Sequence, residues 1–124
     1  MINSDQHRAQ MLRDLYAAYI AHRKDLVGAM LAEDFTFSSP QDNHIDRTAY
    51  FERCWPNEPA LKAFDIEFLT VQGDEAVVRY RAEMTDGKAF RNMESFRFDG
   101  DRIASVDVYF GRNTPRRAAR PMSR

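Results

Sequence analysis

Apolar residues recur along this chain at two different periods, and the change of period divides it. Between residues 4 and 23, Met11, Leu12, Leu15, Tyr16, Tyr19 and Ile20 fall three or four positions apart. That spacing makes one apolar stripe and predicts a helix, with Asn3 or Ser4 available to cap its start. A second, shorter helix is predicted at 25–32, with Val27, Met30 and Leu31 facing inward and Glu33-Asp34 ending it. Phe35-Thr36-Phe37-Ser38 alternates apolar with polar and reads as a short strand. Ser39 to Asn43 reads as a loop by composition. Asp46 suits the N-cap of a third helix, Arg47 to Trp55, which presents Tyr50, Phe51, Cys54 and Trp55. Pro56 and Pro59 end it.

From Leu61 the period becomes two. Ile66, Phe68 and Thr70 alternate with Glu67, Leu69 and Val71, and Gly73-Asp74 turns the chain. Ala76, Val78, Tyr80, Ala82 and Met84 then alternate with Val77, Arg79, Arg81 and Glu83. Two further strands, 88–98 and 102–110, are set off by the turn pairs Asp86-Gly87 and Asp99-Gly100. Consecutive strands joined by short turns predict an antiparallel meander. Helices followed by a meander predict an α+β domain with the helices packed on one face of a curved sheet. Incomplete filling by the helices leaves an apolar pocket.

On the strand 88–98, Phe90, Asn92, Glu94, Phe96 and Phe98 share one face. Glu94 thus stands in a row of aromatic side chains. Two readings are open. Burial among rings raises its pKa and favours a neutral acid that donates to a carbonyl or enolate oxygen. Alternatively, it pairs across the strands with Arg79 or Arg81.

The 124 residues suit one domain. Formal net charge is -1, so no strong field draws the whole chain to nucleic acid or membrane. The charge is uneven: five of the 18 basic residues (Arg112, Arg116, Arg117, Arg120 and Arg124) lie in the last 13 positions. This tail, 112–124, lacks an apolar pattern and interleaved aromatics, so it reads as a mobile, solvated segment following a single domain, 1–111. The one cysteine, Cys54, forms no internal disulfide and fits a reducing compartment. No apolar run has the length of a membrane span and no secretory segment is visible, so a cytoplasmic location is the expectation.

The order of elements, the segment LAEDFTFSSP after the second helix and the closing FDGDRIASVDVYFG resemble the nuclear transport factor 2-like superfamily. The similarity covers about residues 8–111 and is greatest to its SnoaL-like and ketosteroid-isomerase-like branch. The resemblance implies a cone-shaped, curved and mostly antiparallel sheet wrapped around N-terminal helices (the cystatin-like architecture). It also implies a homodimer through the sheet. The superfamily contains isomerases, dehydratases, epoxide hydrolases, cyclases and non-enzymatic binding domains, so the reaction does not follow from the fold. Ketosteroid isomerases carry a general-base aspartate before the proline that follows the first strand. Ser39 stands there in this chain, which argues against that activity. Their oxyanion-hole acid falls on Glu94. Their helix tyrosine falls at Tyr16, or at Leu15 with a one-residue offset. The epoxide hydrolases use an Arg and an Asp two apart plus a further Asp; here Asn92 replaces the Arg, and Asp107 is the candidate for the third group.

The candidate catalytic residues are therefore Glu94, Tyr16, and His44 with Asp46. In the last pair a histidine, the side chain best suited to proton transfer near neutral pH, lies two positions from a carboxylate. Against that pair, Asp46 is placed as a helix cap and His44 in a loop. The predicted pocket residues are Tyr19, Phe37, Ser39, Phe51, Trp55, Tyr80, Asn92 and Phe96. No metal site is predicted, because the loop offers one His without a ligand repeat, and no cofactor is expected. The expected partners are a small hydrophobic ligand and a second copy of the chain, with no nucleic acid and no membrane. Two functions remain open. One is a cofactor-independent isomerase, cyclase or dehydratase acting on a hydrophobic carbonyl compound. The other is a binding or interaction domain without turnover.

Overall fold

The inward side chains of four long strands meet the apolar stripe of the first helix in one core. A computed structural model describes residues 4–55 and 61–114, the side chains of 112–114 excepted. The helices are α1 (Ser4–Ile20), α2 (Lys24–Met30) and α3 (Arg47–Cys54). The strands are β1 (Leu31–Ser39), β2 (Asp42–Asp46), β3 (Leu61–Gln72), β4 (Glu75–Met84), β5 (Ala89–Asp99) and β6 (Arg102–Thr114). They form one curved, unclosed sheet in the order β2-β1-β6-β5-β4-β3. The meander β3 to β6 is antiparallel throughout, as the turn pairs require. β1 lies parallel to β6.

Rows of facing residues cross the concave side. Ala76, Phe96 and Val106 make one row, Val78, Glu94 and Val108 the next, and Tyr80, Asn92 and Phe110 the third. α1 packs Leu12, Leu15 and Tyr16 onto this face, and Phe35, Phe96, Leu12, Ile103, Val27 and Val78 are fully enclosed. One cation ties α1 to the far ends of the hairpins. Arg8 donates to the carbonyls of Gly73 at 2.6 Å and Gly100 at 2.7 Å, and to Asp74 at 2.9 Å. Gly100 has a φ of 62°, the left-handed conformation that the tight β5–β6 turn demands and glycine adopts without penalty.

The structure departs from the sequence reading in several places. α1 ends at Ile20, and α2 gives way at Leu31 to a strand that starts four residues before Phe35. The segment 42–46 is a strand and not a loop. Ile45 faces Phe37 and packs on the core, while the remaining side chains of β2 are polar and hide the alternation. On β3 a bulge between Ile66 and Phe68 reverses the faces. Phe64, Ile66, Leu69 and Val71 pack inward, and Phe68 turns out. β6 continues beyond Gly111, with Asn113 opposite Phe90 and Thr114 opposite Ala89. Gly111 itself sits where a Cβ would lie 2.1 Å from the Arg91 carbonyl oxygen, so only glycine fits. The Asn3 cap, the loop at Pro56 and Pro59, and the tail from residue 115 lie outside the described residues.

Candidate functional site

Between α1 and the concave face lies a cavity of about 190 Å3, walled mostly by apolar side chains. Tyr16, Tyr19, Phe37, Tyr80, Asn92, Glu94 and Phe96 all line it. An engineered apolar cavity of roughly 150 Å3 accommodates benzene, so the space admits about one substituted ring. Phe90, Asn92 and Phe110 also border a second depression at Gly111. Phe110 is half exposed there.

At the centre stands Glu94. Its register partners are Val78 and Val108, so among the described residues no cation stands across the strands from it. Tyr16 donates its hydroxyl to Glu94 Oε1 at 2.7 Å, and Tyr80 donates to Oε2 at 2.6 Å. Asn92 Nδ2 donates to the Tyr80 hydroxyl at 3.2 Å, and the Gly111 backbone N–H donates to Asn92 Oδ1 at 3.2 Å. The rings lock the hydroxyls in place: Tyr16, Phe64 and Tyr80 pack mutually with centroids 4.9 to 5.3 Å apart.

Desolvation raises the Glu94 pKa above the ordinary carboxylate value, and the Tyr80 and Tyr16 hydrogen bonds pull it partly back. Burial, and then the Glu94 charge, pushes Tyr16, Tyr19 and Tyr80 far up, so all three remain neutral donors. The Tyr19 hydroxyl has no hydrogen-bond partner among the described residues, although its ring lines the cavity. Cys54 also lines the cavity; burial and then the Asp42 charge raise its thiol, which opposes nucleophilic use.

The alternative partner for Glu94, an arginine, is ruled out by strand parity. Arg79 and Arg81 project to the convex side, where Arg79 joins Arg91 on Glu67 and Arg81 meets Glu83. Tyr16, rather than Leu15, is the helix residue that reaches Glu94.

Six candidate residues from the sequence lie elsewhere. His44 is exposed at the sheet edge, with its ring Nδ1 2.8 Å from Asn43 Oδ1 and its backbone N–H on Ser38 Oγ. Asp46 caps α3 by accepting from the Ala49 N–H at 2.9 Å. The two form no base–carboxylate pair: Ile45 between them faces inward, so strand parity turns both away. Ser39 lines a shallow edge groove with His44 and Asp107, and its hydroxyl bonds to Asp42. Asp107 therefore does not complete a set with Asn92 and Glu94. Phe51 lines a separate surface cleft with Lys24 and Arg47 over its ring. Trp55 backs Tyr19, with ring centroids 5.4 Å apart, rather than lining the cavity. Among residues not singled out from the sequence, Phe64 matters most. It keeps the inward parity of Ile66, ahead of the β3 bulge, and packs against Tyr16 and Tyr80 in the lining. Among the described residues no cluster of His, Cys, Asp and Glu suits a metal ion, and no helix is long and apolar enough to cross a membrane.

A curved sheet over an N-terminal helix, with a carboxylate and tyrosines meeting in an apolar cone, defines the class. The family model for the SnoaL-like domain matches residues 12–106, and the chain belongs to that family. Among solved structures, an LEH-like epoxide hydrolase from M. tuberculosis superposes with a TM-score of 0.74 at 18% identity, covering 87% of this chain and 85% of that one. A putative ketosteroid isomerase from Kribbella flavida gives 0.74 at 16% identity, covering 99% and 87%. A putative polyketide cyclase from Sinorhizobium meliloti gives 0.68 at 20%, covering 80% and 93%. At such identities these likenesses speak for the fold alone. No curated protein matches the chain.

Proposed function

We propose that the cone binds a small hydrophobic carbonyl compound and that Glu94 moves a proton on it without a cofactor. The observation that carries this reading is the buried carboxylate held by Tyr16 and Tyr80 in a cavity of ring size. A carboxylate keeps up to four acceptor positions, so lone pairs remain for a ligand proton after the two tyrosines are served. Burial raises its pKa above the ordinary carboxylate value, the direction that suits a group that takes and returns a proton. With His44 and Asp46 at the edge, Glu94 is the one acidic side chain in the lining among the described residues. A single group that removes a proton and gives it back fits an isomerisation better than a hydrolysis, which needs a separate acid and water-activating base. Tyr16 and the Tyr19 hydroxyl, which has no hydrogen-bond partner among the described residues, supply donors for an oxyanion.

The test is deuterium uptake by NMR from a panel of small unsaturated and aromatic ketones in D2O. Exchange at the carbon next to the carbonyl is expected with the native protein and not with E94Q. Absence of exchange throughout the panel, with ketone affinity unchanged in E94Q, would favour the second reading, a binding domain without turnover. That reading has one observation of its own: both Glu94 oxygens are satisfied without a ligand.

A homodimer through the sheet is the partner reading. Phe68, Arg79, Met93 and Tyr109 stand directly opposite one another across β3 to β6 on the convex side. The three apolar members are 47%, 41% and 62% exposed. With Glu67 and Arg91 beside it the row carries both signs of charge, as a self-complementary two-fold contact needs. Light scattering should give a dimer mass that M93E halves; a monomer in the native protein would dismiss the idea.

A further inference from the structure

We infer that Asn92 is a positioning residue that gives the Tyr80–Glu94–Tyr16 network a single direction, anchored on the Gly111 backbone amide. The inference deepens the proton-transfer reading and rests on it for its functional meaning, but not for its geometry. A backbone N–H can only donate. The Asn92 atom facing Gly111 must therefore be the carbonyl oxygen, whichever way the amide is drawn. That leaves the NH2 group facing the Tyr80 hydroxyl. An amide NH2 only donates, so the Tyr80 oxygen must accept, and its one proton goes to Glu94 Oε2. Tyr80 cannot reverse. Tyr16 can, because Glu94 is its hydroxyl's one partner among the described residues.

Glu94 thus has two unequal oxygens. Protonating Oε2 would weaken the Tyr80 bond, because the hydroxyl oxygen of a carboxylic acid accepts poorly. Protonating Oε1 costs less, since Tyr16 can rotate to accept from it and swing its own proton into the cavity. As a C–H bond of the ligand breaks and an O–H bond forms at Oε1, the charge left on the ligand's carbonyl oxygen finds Tyr16 newly free to donate. The position of Gly111 is as strict as the role requires, because no side chain fits between it and the Arg91 carbonyl. Among the described residues, the titratable side chains facing Glu94 are Tyr16 and Tyr19 from α1 and Tyr80 from β4, with Cys54 of α3 further along the lining. None is a cation that would fix the proton's position by charge alone.

Neutron diffraction from deuterated native crystals, grown above and below the Glu94 titration, reads the direction without any substrate. Deuterium should appear on the Asn92 nitrogen facing Tyr80, and on Tyr80 pointing at Oε2, in both crystals. In the acidic crystal the carboxyl deuteron should sit on Oε1. A reversed amide, a Tyr80 deuteron aimed at Asn92, or a deuteron on Oε2 would each overturn the inference. In solution, N92D offers Tyr80 an acceptor in place of a donor. The Glu94 midpoint, followed by carboxyl 13C NMR, should rise more for N92D in the native background than in Y80F, where charge repulsion alone remains. Equal shifts in the two backgrounds would refute action through Tyr80. If ketones exchange no deuterium while these readouts hold, the catalytic reading fails and the positioning role stands.

Discussion

Removing the Tyr16 hydroxyl isolates one of the two bonds that hold the Glu94 carboxylate. The ring is 4% exposed and packs on Phe64 and Tyr80, contacts that Y16F keeps. The change therefore deletes one hydrogen bond of 2.7 Å and little else. A bond to a charged acceptor is worth about 1.5–3 kcal/mol and one between neutral groups about 1 kcal/mol. Above the Glu94 titration, where the acceptor is a carboxylate, Y16F should cost about 2 kcal/mol; below it, about 1 kcal/mol. Urea unfolding from pH 4 to pH 8 reads this directly, and the thermal midpoint should fall by about 4 °C per kcal/mol for a domain of this size. In an E94Q background the pH dependence of the loss should vanish. The reasoning is refuted if Y16F costs the same at every pH in the native background, since the acceptor's charge would then not matter. A loss below about 0.5 kcal/mol throughout would show that the bond itself carries no stability.

Three further outcomes follow from the same contacts. Glu94 has a raised folded-state pKa, so its proton stabilises the fold fully below the ordinary glutamate value, and that contribution drains away as pH rises through the higher folded value. E94Q should therefore gain stability on the native protein across that window, as paired urea titrations would reveal; parallel pH profiles would contradict the burial cost. Arg8→Met removes the cation shared by the Gly73 and Gly100 carbonyls and should cost about 2 kcal/mol, discounted for the exposed Asp74. Amide exchange should rise at both hairpin ends, whereas unchanged protection would show the stitch to be idle. G111A drives a Cβ into the Arg91 carbonyl and should cost at least about 2 kcal/mol, with loss of the β5–β6 register beyond Asn92 visible as missing cross-strand contacts by NMR.

How far the site was legible depends on which force placed each residue. Alternation on β4 and β5 put Tyr80, Asn92, Glu94 and Phe96 on one face, and the structure keeps them there. The arginine partner left open for Glu94 falls to the same alternation, since odd positions on β4 face away from Tyr80. Where a bulge shifts the parity, as between Ile66 and Phe68, the pattern inverts beyond it, so that Phe68 turns out while Leu69 and Val71 turn in. β2 shows the opposite failure. Its side chains are mostly polar, so no alternation marks it. Once it pairs with β1 through Ile45 and Phe37, geometry sends His44 and Asp46 to the outside together. Tyr16 and Leu15 are both buried on α1, and periodicity cannot choose between neighbours on one stripe; packing against β4 and β5 makes that choice. The bond from Gly111 to Asn92 leaves no sequence signature at all. It depends on a backbone amide, a bulge and the absence of one methyl group. Local periodicity thus places Glu94, Tyr80 and Asn92 on one face, while the contacts of Tyr16 and Gly111 depend on helix packing and on the register between strands.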